Sequence, residues 1–383
     1  MRQGKKRIRF LAAVLLACLS LSACAPAKAN QEKDRNISGE LTYESSMELL
    51  YAEKFSMDYY TEGFSLITIN GSDRYLLIPE GESCPADLAE DVVPLYQPLD
   101  RIYLVASAVM DMFISMDALD TVRFTGTKAE SWYLEEAKKA VESGEILYAG
   151  NYSAPDYEQI LAEGCDLAIE NTMVYHTPEV KEQLEKFGIP VMVDYSSYET
   201  EPLGRTEWVK LYGLIAGREE EAAAAFDAQQ EAFAAIGDAE NTGKTVAFFY
   251  ITSNGKVNVR NTSDYLPKMI ELAGGNYVFS DLNEEEGSAS STVTMQMEEF
   301  YAAAREADYI IYNSTIDGEL TSVEDLLGKS ELLENFKAVR EGNVYCTTRN
   351  LYQSSMELGT LIADIHGMLT GEEEGLTYLY RLK

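Results

Sequence analysis

The chain is 383 residues long and carries 31 Lys+Arg against 64 Asp+Glu, a formal net charge of −33. So acidic a surface repels phosphate backbones, which excludes nucleic acid as a partner. An apolar content of 46% with 25 tyrosines excludes an acidic disordered chain and demands packed structure, and the length admits two or three domains.

At the N-terminus, Arg2, Lys5, Lys6, Arg7 and Arg9 precede an almost wholly apolar run from Phe10 to Leu21, closed by Leu21-Ser22-Ala23-Cys24. About a dozen apolar residues are too few to cross ~30 Å of hydrocarbon. Basic, apolar and small-residue blocks in that order describe a secretory signal. The ending resembles the lipobox of bacterial lipoproteins, which implies cleavage before Cys24 and lipid attached to it. An ordinary signal peptide cut at Ala23 or Ala25 is the alternative. Residues 1–23 are therefore read as a lipoprotein signal peptide and the polar residues 24–45 as a flexible tether. This places the protein outside the cytoplasm, anchored by lipid to the outer face of the bacterial cytoplasmic membrane. Cys84, Cys165 and Cys346 remain, with no Cys-x-x-Cys spacing; they form one disulfide or stay free.

Ser65-Leu66-Ile67-Thr68-Ile69 and Tyr75-Leu76-Leu77-Ile78 flank Asn70-Gly71, which predicts a β-hairpin. Strand-like runs then alternate with helical ones. Strands are expected at 102–105, 121–124, 166–169 and 189–193, and helices at 106–116, 128–143, 157–162, 179–187 and 205–215. Residues 218–236, Ala- and Glu-rich with acids at their start, predict one helix of about 28 Å. Beyond it the alternation restarts, with strands at 244–252, 309–312 and 344–346 and helices at 266–274, 295–305 and 356–369. Such alternation argues for α/β units with mainly parallel central sheets. Two lobes, 46–217 and 238–383, are thus joined by a single rigid helix, 218–237. A weak internal repeat supports the division. Glu158 opens a helix that feeds a strand through Asp166, and Glu298 opens one that does so through Asp308.

Several stretches together resemble the substrate-binding lipoproteins of ABC importers for iron-siderophores, haem and cobalamin, the periplasmic-binding-protein group with a helical backbone. They are Pro155 to Ile169, the block Pro202-Leu203-Gly204-Arg205-Thr206-Glu207-Trp208-Val209-Lys210 leading to Gly217-Arg218-Glu219, and Met297 to Ile311. The likeness runs from about Val93 to Thr370; residues 46–92 match poorly and read as an addition. The resemblance implies a monomeric receptor that is not an enzyme. It would hand a ferric-siderophore, haem or corrinoid complex to a membrane permease with its cytoplasmic ATPase. It also implies that one exposed Glu per lobe docks on the permease, here Glu158 and Glu298, with Glu299 as the second-lobe fallback. Without that likeness, both read as helix-start glutamates favoured by the dipole.

Ligands of open α/β sheets bind beyond the carboxyl ends of the strands. The loops expected to face one another include Trp132, Tyr152, Tyr175 and His176 on the first lobe, and Arg260, Arg349 and Tyr352 on the second. Aromatic rings supply area, and arginines bind carboxylate or catecholate oxygens. No resident cofactor or metal site is expected. An exported hydrolase is the enzymatic alternative, but there is no Gly-x-Ser-x-Gly elbow, and only two histidines are available as bases. Asn241-Thr242-Gly243-Lys244-Thr245 imitates the end of a phosphate loop yet precedes a strand, so it reads as a turn.

Overall fold

The structure, a computed structural model, describes residues 35–237, 239–282 and 291–383. The signal peptide and Cys24 lie outside the described residues. Five strands open the fold: β1 (Tyr43–Ser46), β2 (Phe55–Tyr60), β3 (Ser65–Ile69), β4 (Asp73–Ile78) and β5 (Val92–Tyr96). They form one sheet in sequence order, antiparallel except that β5 runs parallel to β4. The β3–β4 hairpin stands where the sequence places it. Asn70 and Gly71 both take positive φ (49° and 72°), the primed turn whose twist matches the strands. Alternation gives the sheet two apolar faces. Met57, Ile67, Ile69 and Leu77 join the core of the first lobe, while Leu66, Leu76 and Ile78 pack against Ile37, Tyr60 and Phe64.

This corrects the tether boundary. Ile37 is 2% exposed and β1 is paired with β2, so the chain is built into the fold from Ile37 rather than from residue 46. One buried apolar side chain whose partners lie some 30 residues away leaves no local pattern.

The first lobe is a parallel sheet of β6 (Ile102–Leu104), β7 (Val122–Thr125), β8 (Leu147–Tyr148), β11 (Leu167–Asn171) and β12 (Val191–Asp194), in the order β12-β11-β6-β7-β8. A short antiparallel pair, β9 (Gly150–Asn151) with β10 (Ala154–Pro155), follows β8. The second lobe is less uniformly parallel than the sequence suggests. Strands β13 (Thr245–Ile251), β15 (Asn276–Tyr277), β17 (Tyr309–Tyr312) and β18 (Val344–Thr347) run parallel; β14 (Val257–Arg260) and β19 (Leu379–Arg381) flank them antiparallel, and β16 (Thr292–Met295) pairs antiparallel with β14 at the edge.

Glu219–Ile236 is the single long helix, and two glycines let both lobes seat closely on it. A Cβ at Gly213 would lie 2.4 Å from that of Ala222, and one at Gly359 3.0 Å from that of Ala232. Phe226 is buried in the first-lobe core, and Phe233 and Ile236 pack on the second.

Two buried carboxylates fasten the added sheet to the first lobe. Glu207 accepts the backbone N–H groups of Leu50 (3.0 Å), Tyr51 (2.8 Å) and Ala52 (2.9 Å), and the Lys210 ammonium at 2.7 Å. Glu199 accepts those of Glu53 (3.0 Å) and Lys54 (2.9 Å) and the Trp208 indole at 2.9 Å. The block that carries the sequence resemblance thus holds the segment that departs from it.

Candidate functional site

The carboxyl ends of the two sheets meet along a seam. After β18, the segment 349–356 reaches across to the segments that follow β6 and β7. Gln353 accepts the Tyr133 N–H at 2.8 Å and donates its side-chain amide to the Ser131 carbonyl at 2.9 Å. Arg349 donates from its guanidinium to the Tyr133 hydroxyl at 3.1 Å. Ser355 donates to the Ala108 carbonyl at 2.6 Å, and the Met356 N–H donates to the Asp111 carboxylate at 2.7 Å. Beside the bridging helix, the Arg205 guanidinium lies over the Tyr265 ring of the other lobe, 4.5 Å from its centroid.

Asp111 makes one of these contacts from an 8% exposed position, and burial pushes its carboxyl up to about 6, with Glu357 and Glu136 adding repulsion. Its folded pKa therefore exceeds the unfolded one, so the native state holds the extra proton and stability falls as pH rises through roughly 4 to 6. Asp111→Asn should accordingly raise stability at pH 7.5 by up to about 3 kcal/mol and have little effect at pH 4. Equal effects in urea melts at the two pH values would contradict this assignment.

Within the second lobe, Arg260 pairs with Asp264 (2.9 Å) and lies over the Tyr352 ring, 5.2 Å from its centroid. The Tyr352 hydroxyl accepts from Asn313 at 2.8 Å, and the carbonyl oxygen of the Asn313 side chain caps the short helix Ser314–Asp317. The ends of β17 and β18 are tied by the Ser314 N–H to the Thr347 hydroxyl at 3.0 Å. Two sheets with facing carboxyl ends, joined by one helix, are built to hold a molecule between them.

A family model described as "Periplasmic binding protein" matches residues 105–351. The chain belongs to this family. The family is one of extracytoplasmic solute-binding proteins rather than enzymes. An uncharacterized lipoprotein of Methanocaldococcus jannaschii is 25% identical over 340 residues, 82% of this chain and 79% of its own. Among solved structures, an ABC-type Fe3+-hydroxamate transport system protein of Saccharomonospora viridis aligns with a TM-score of 0.56 at 20% identity, covering 71% of this chain and 93% of its own. A periplasmic heme binding protein of Pseudomonas aeruginosa aligns with a TM-score of 0.56 at 16% identity, covering 74% and 98%.

In this periplasmic binding protein, the residues expected to line a cleft fall into separate groups. Arg260 stands on β14 rather than in a loop and, with Tyr352, forms the second-lobe cluster; Arg349 reaches the seam. Trp132 is 2% exposed and gives its indole N–H to the Thr127 carbonyl at 3.2 Å, so it packs the first-lobe core. Its neighbour Tyr133, 39% exposed, takes the seam position instead. Tyr175 and His176 end the 3-10 turn after β11, both exposed, and the Tyr195 hydroxyl donates to that of Tyr175 at 3.1 Å. Tyr152 is half-buried, its carbonyl accepting from Thr177 at 3.4 Å. Sequence reasoning missed Tyr133, Gln353 and Asp111. It also missed Glu170 on β11, fully buried, whose carboxyl burial pushes up to about 8.

Glu158 and Glu298 occupy matching places, each the exposed second residue of its helix and two before a buried residue, Ile160 or Phe300. Asp166 and Asp308 match as well. Asp166 accepts the Arg101 N–H (3.1 Å) at the start of β6, and Asp308 the Thr245 N–H (2.8 Å) at the start of β13. Each aspartate thus ties its strand to a parallel neighbour, and the repeat is present in the fold.

A cavity of about 680 Å³ lies elsewhere, between β4–β5 and the entry to β12. Both of its lining cations are paired with lining acids, Arg74–Asp91 (2.7 Å) and Lys181–Glu185 (3.3 Å). Cys84, Cys165 and Cys346 are all free, and Cys346 is buried. No cluster of potential metal ligands occurs, and no helix is long and apolar enough to cross a membrane, among the described residues.

Proposed function

We propose that this protein is the lipid-anchored receptor of an ABC importer. It would capture an iron-siderophore, haem or corrinoid complex between its lobes and present it to the permease, whose ATPase drives import. The observation that carries this reading is the seam: two sheets with parallel central strands in a solute-binding family, carboxyl ends facing, on one pinned helix. The similar solved structures named for Fe3+-hydroxamate transport and heme binding support the ligand class. The Leu-Ser-Ala-Cys24 ending and the relative named a lipoprotein support the anchor. Glu158 and Glu298, one per lobe and in matching places, suit the two docking contacts, and the match favours Glu298 over Glu299.

Thermal denaturation in the presence of ferric siderophores, haem and corrinoids tests the reading. A cognate complex at 100 times its Kd should add ~2.7 kcal/mol of stability. No stabilisation across a broad panel would sink the receptor reading, and turnover of any member would favour the enzymatic alternative.

A further inference from the structure

The cavity of about 680 Å³ between β4–β5 and the entry to β12 lies well away from the seam. One wall is the added sheet, which precedes the residues matched by the family model. The other is the amino end of the first-lobe sheet, where Asp166 precedes β11 and Pro190 precedes β12. The seam stands at the carboxyl ends of those strands. The five residues of β11, at ~3.3 Å each, set the two places roughly 16 Å apart.

The lining combines an apolar floor with spare negative charge. Leu95, Leu99, Ile189 and Val191 are buried and form the floor. Val93 and Tyr96, on the edge strand β5, are 39% and 54% exposed and so stand at the mouth. Four carboxylates line the cavity against two cations. Arg74 holds Asp91, Lys181 holds Glu185, and Arg101, outside the lining, holds Asp166 at 3.0 Å. Asp73 is left over: among the described residues it forms no salt bridge, and its carboxylate accepts from the Ser72 hydroxyl at 3.3 Å. Beside it, burial raises the Tyr75 phenol well above its ordinary pKa. Asp73 from β4 and Glu185 from the helix Pro178–Lys186 add repulsion there. Negative charge from two elements thus converges on one wall of an apolar cavity of ligand size.

We propose that this cavity binds a small organic cation with an apolar body, of the alkylamine or aralkylamine class. Its ammonium pairs with Asp73, its body covers the apolar floor, and the Tyr96 ring offers its face to the charge. A carboxylate of the same shape meets a surplus of acids in a chain of net charge −33 and is rejected. The site stands independently of the receptor reading.

Calorimetric titration of the full chain with phenylpropylamine, phenylpropanol and phenylpropionate tests the proposal, because the three share a body and differ in charge. The amine should bind at least about 10-fold more tightly than the carboxylate. In Asp73→Asn its affinity should fall on the order of 10-fold, towards that of the alcohol, and rising salt should weaken it in the native chain. Tyr96→Ala should weaken it as well. Neither side chain belongs to the core, so unchanged melting temperatures separate these losses from misfolding. Amide shifts during the titration should fall on residues 72–75, 93–96 and 188–191. Shifts at 349–356 instead, equal affinity for amine and carboxylate, or affinity indifferent to both variants would overturn the proposal and leave the receptor reading untouched. So would failure of the amine to bind at millimolar concentration.

Discussion

Replacing Glu207 with alanine is expected to destabilise the protein by about 3–5 kcal/mol, the range for removing one member of a buried ion pair. The side chain is fully buried, yet it accepts three consecutive backbone N–H groups and the Lys210 ammonium. Alanine leaves these donors unpaired in the interior, and each carries its own desolvation penalty. Burial alone would raise the Glu207 pKa, but Lys210 and the backbone N–H groups outweigh it and bring the carboxyl below its ordinary value. Because the folded pKa is the lower one, the contribution is complete above the unfolded value, near 4.3, and disappears as pH falls through the folded one. Urea unfolding at pH 7 measures the loss. Amide hydrogen exchange at Leu50, Tyr51 and Ala52 localises it, since those groups should exchange faster in the variant. A loss below about 1 kcal/mol, or unchanged exchange there, would show that the carboxylate does not hold the added sheet.

Local chemistry made much of this fold legible. Asn70-Gly71 specifies its hairpin from two residues, and the Ala- and Glu-rich run 219–236 specifies its helix from composition. What escaped is what depends on distant partners. Asn258 sits between Val257 and Val259 on β14, and all three are buried, so the strand shows no alternation between apolar and exposed positions; Asn258 instead donates to Thr294 of β16 at 3.1 Å. A polar residue satisfied by a neighbour 36 positions on reads as loop. The helix expected over 205–215 starts at Pro202 and is interrupted at Trp208, whose indole is drawn to Glu199.

The site was legible as residue types and illegible as directions. Trp132 and Tyr133 are adjacent aromatics in an irregular segment, and no period says which one turns inward. The structure buries the indole and leaves the phenol at the seam. Gln353 carries no distinguishing sequence signal, since an amide that bonds two backbone groups some 220 residues away looks like any surface glutamine. The paired aspartates were visible because each acts at the start of its own strand, within a short repeat.

Charge reversal of the two glutamates proposed to dock on the permease, Glu158→Lys with Glu298→Lys, is expected to abolish uptake while leaving ligand affinity unchanged. Each side chain is exposed, on its own lobe and outside the seam contacts, and among the described residues neither has an ion pair or side-chain hydrogen bond to lose. An arginine pocket that reads a carboxylate does so through two parallel N–H···O bonds. A lysine there both deletes those bonds and places two cations together. Two such contacts, one per lobe, would also fix register on the proposed permease, so each single reversal should weaken transport and the double reversal should eliminate it. Uptake of the cognate complex by cells or reconstituted vesicles reads the first quantity, and titration of the purified variant reads the second. If affinity falls with uptake, the glutamates belong to the ligand site and the docking assignment is wrong. If Glu299→Lys abolishes uptake where Glu298→Lys does not, the second contact lies one residue further along the helix, against the match in the fold.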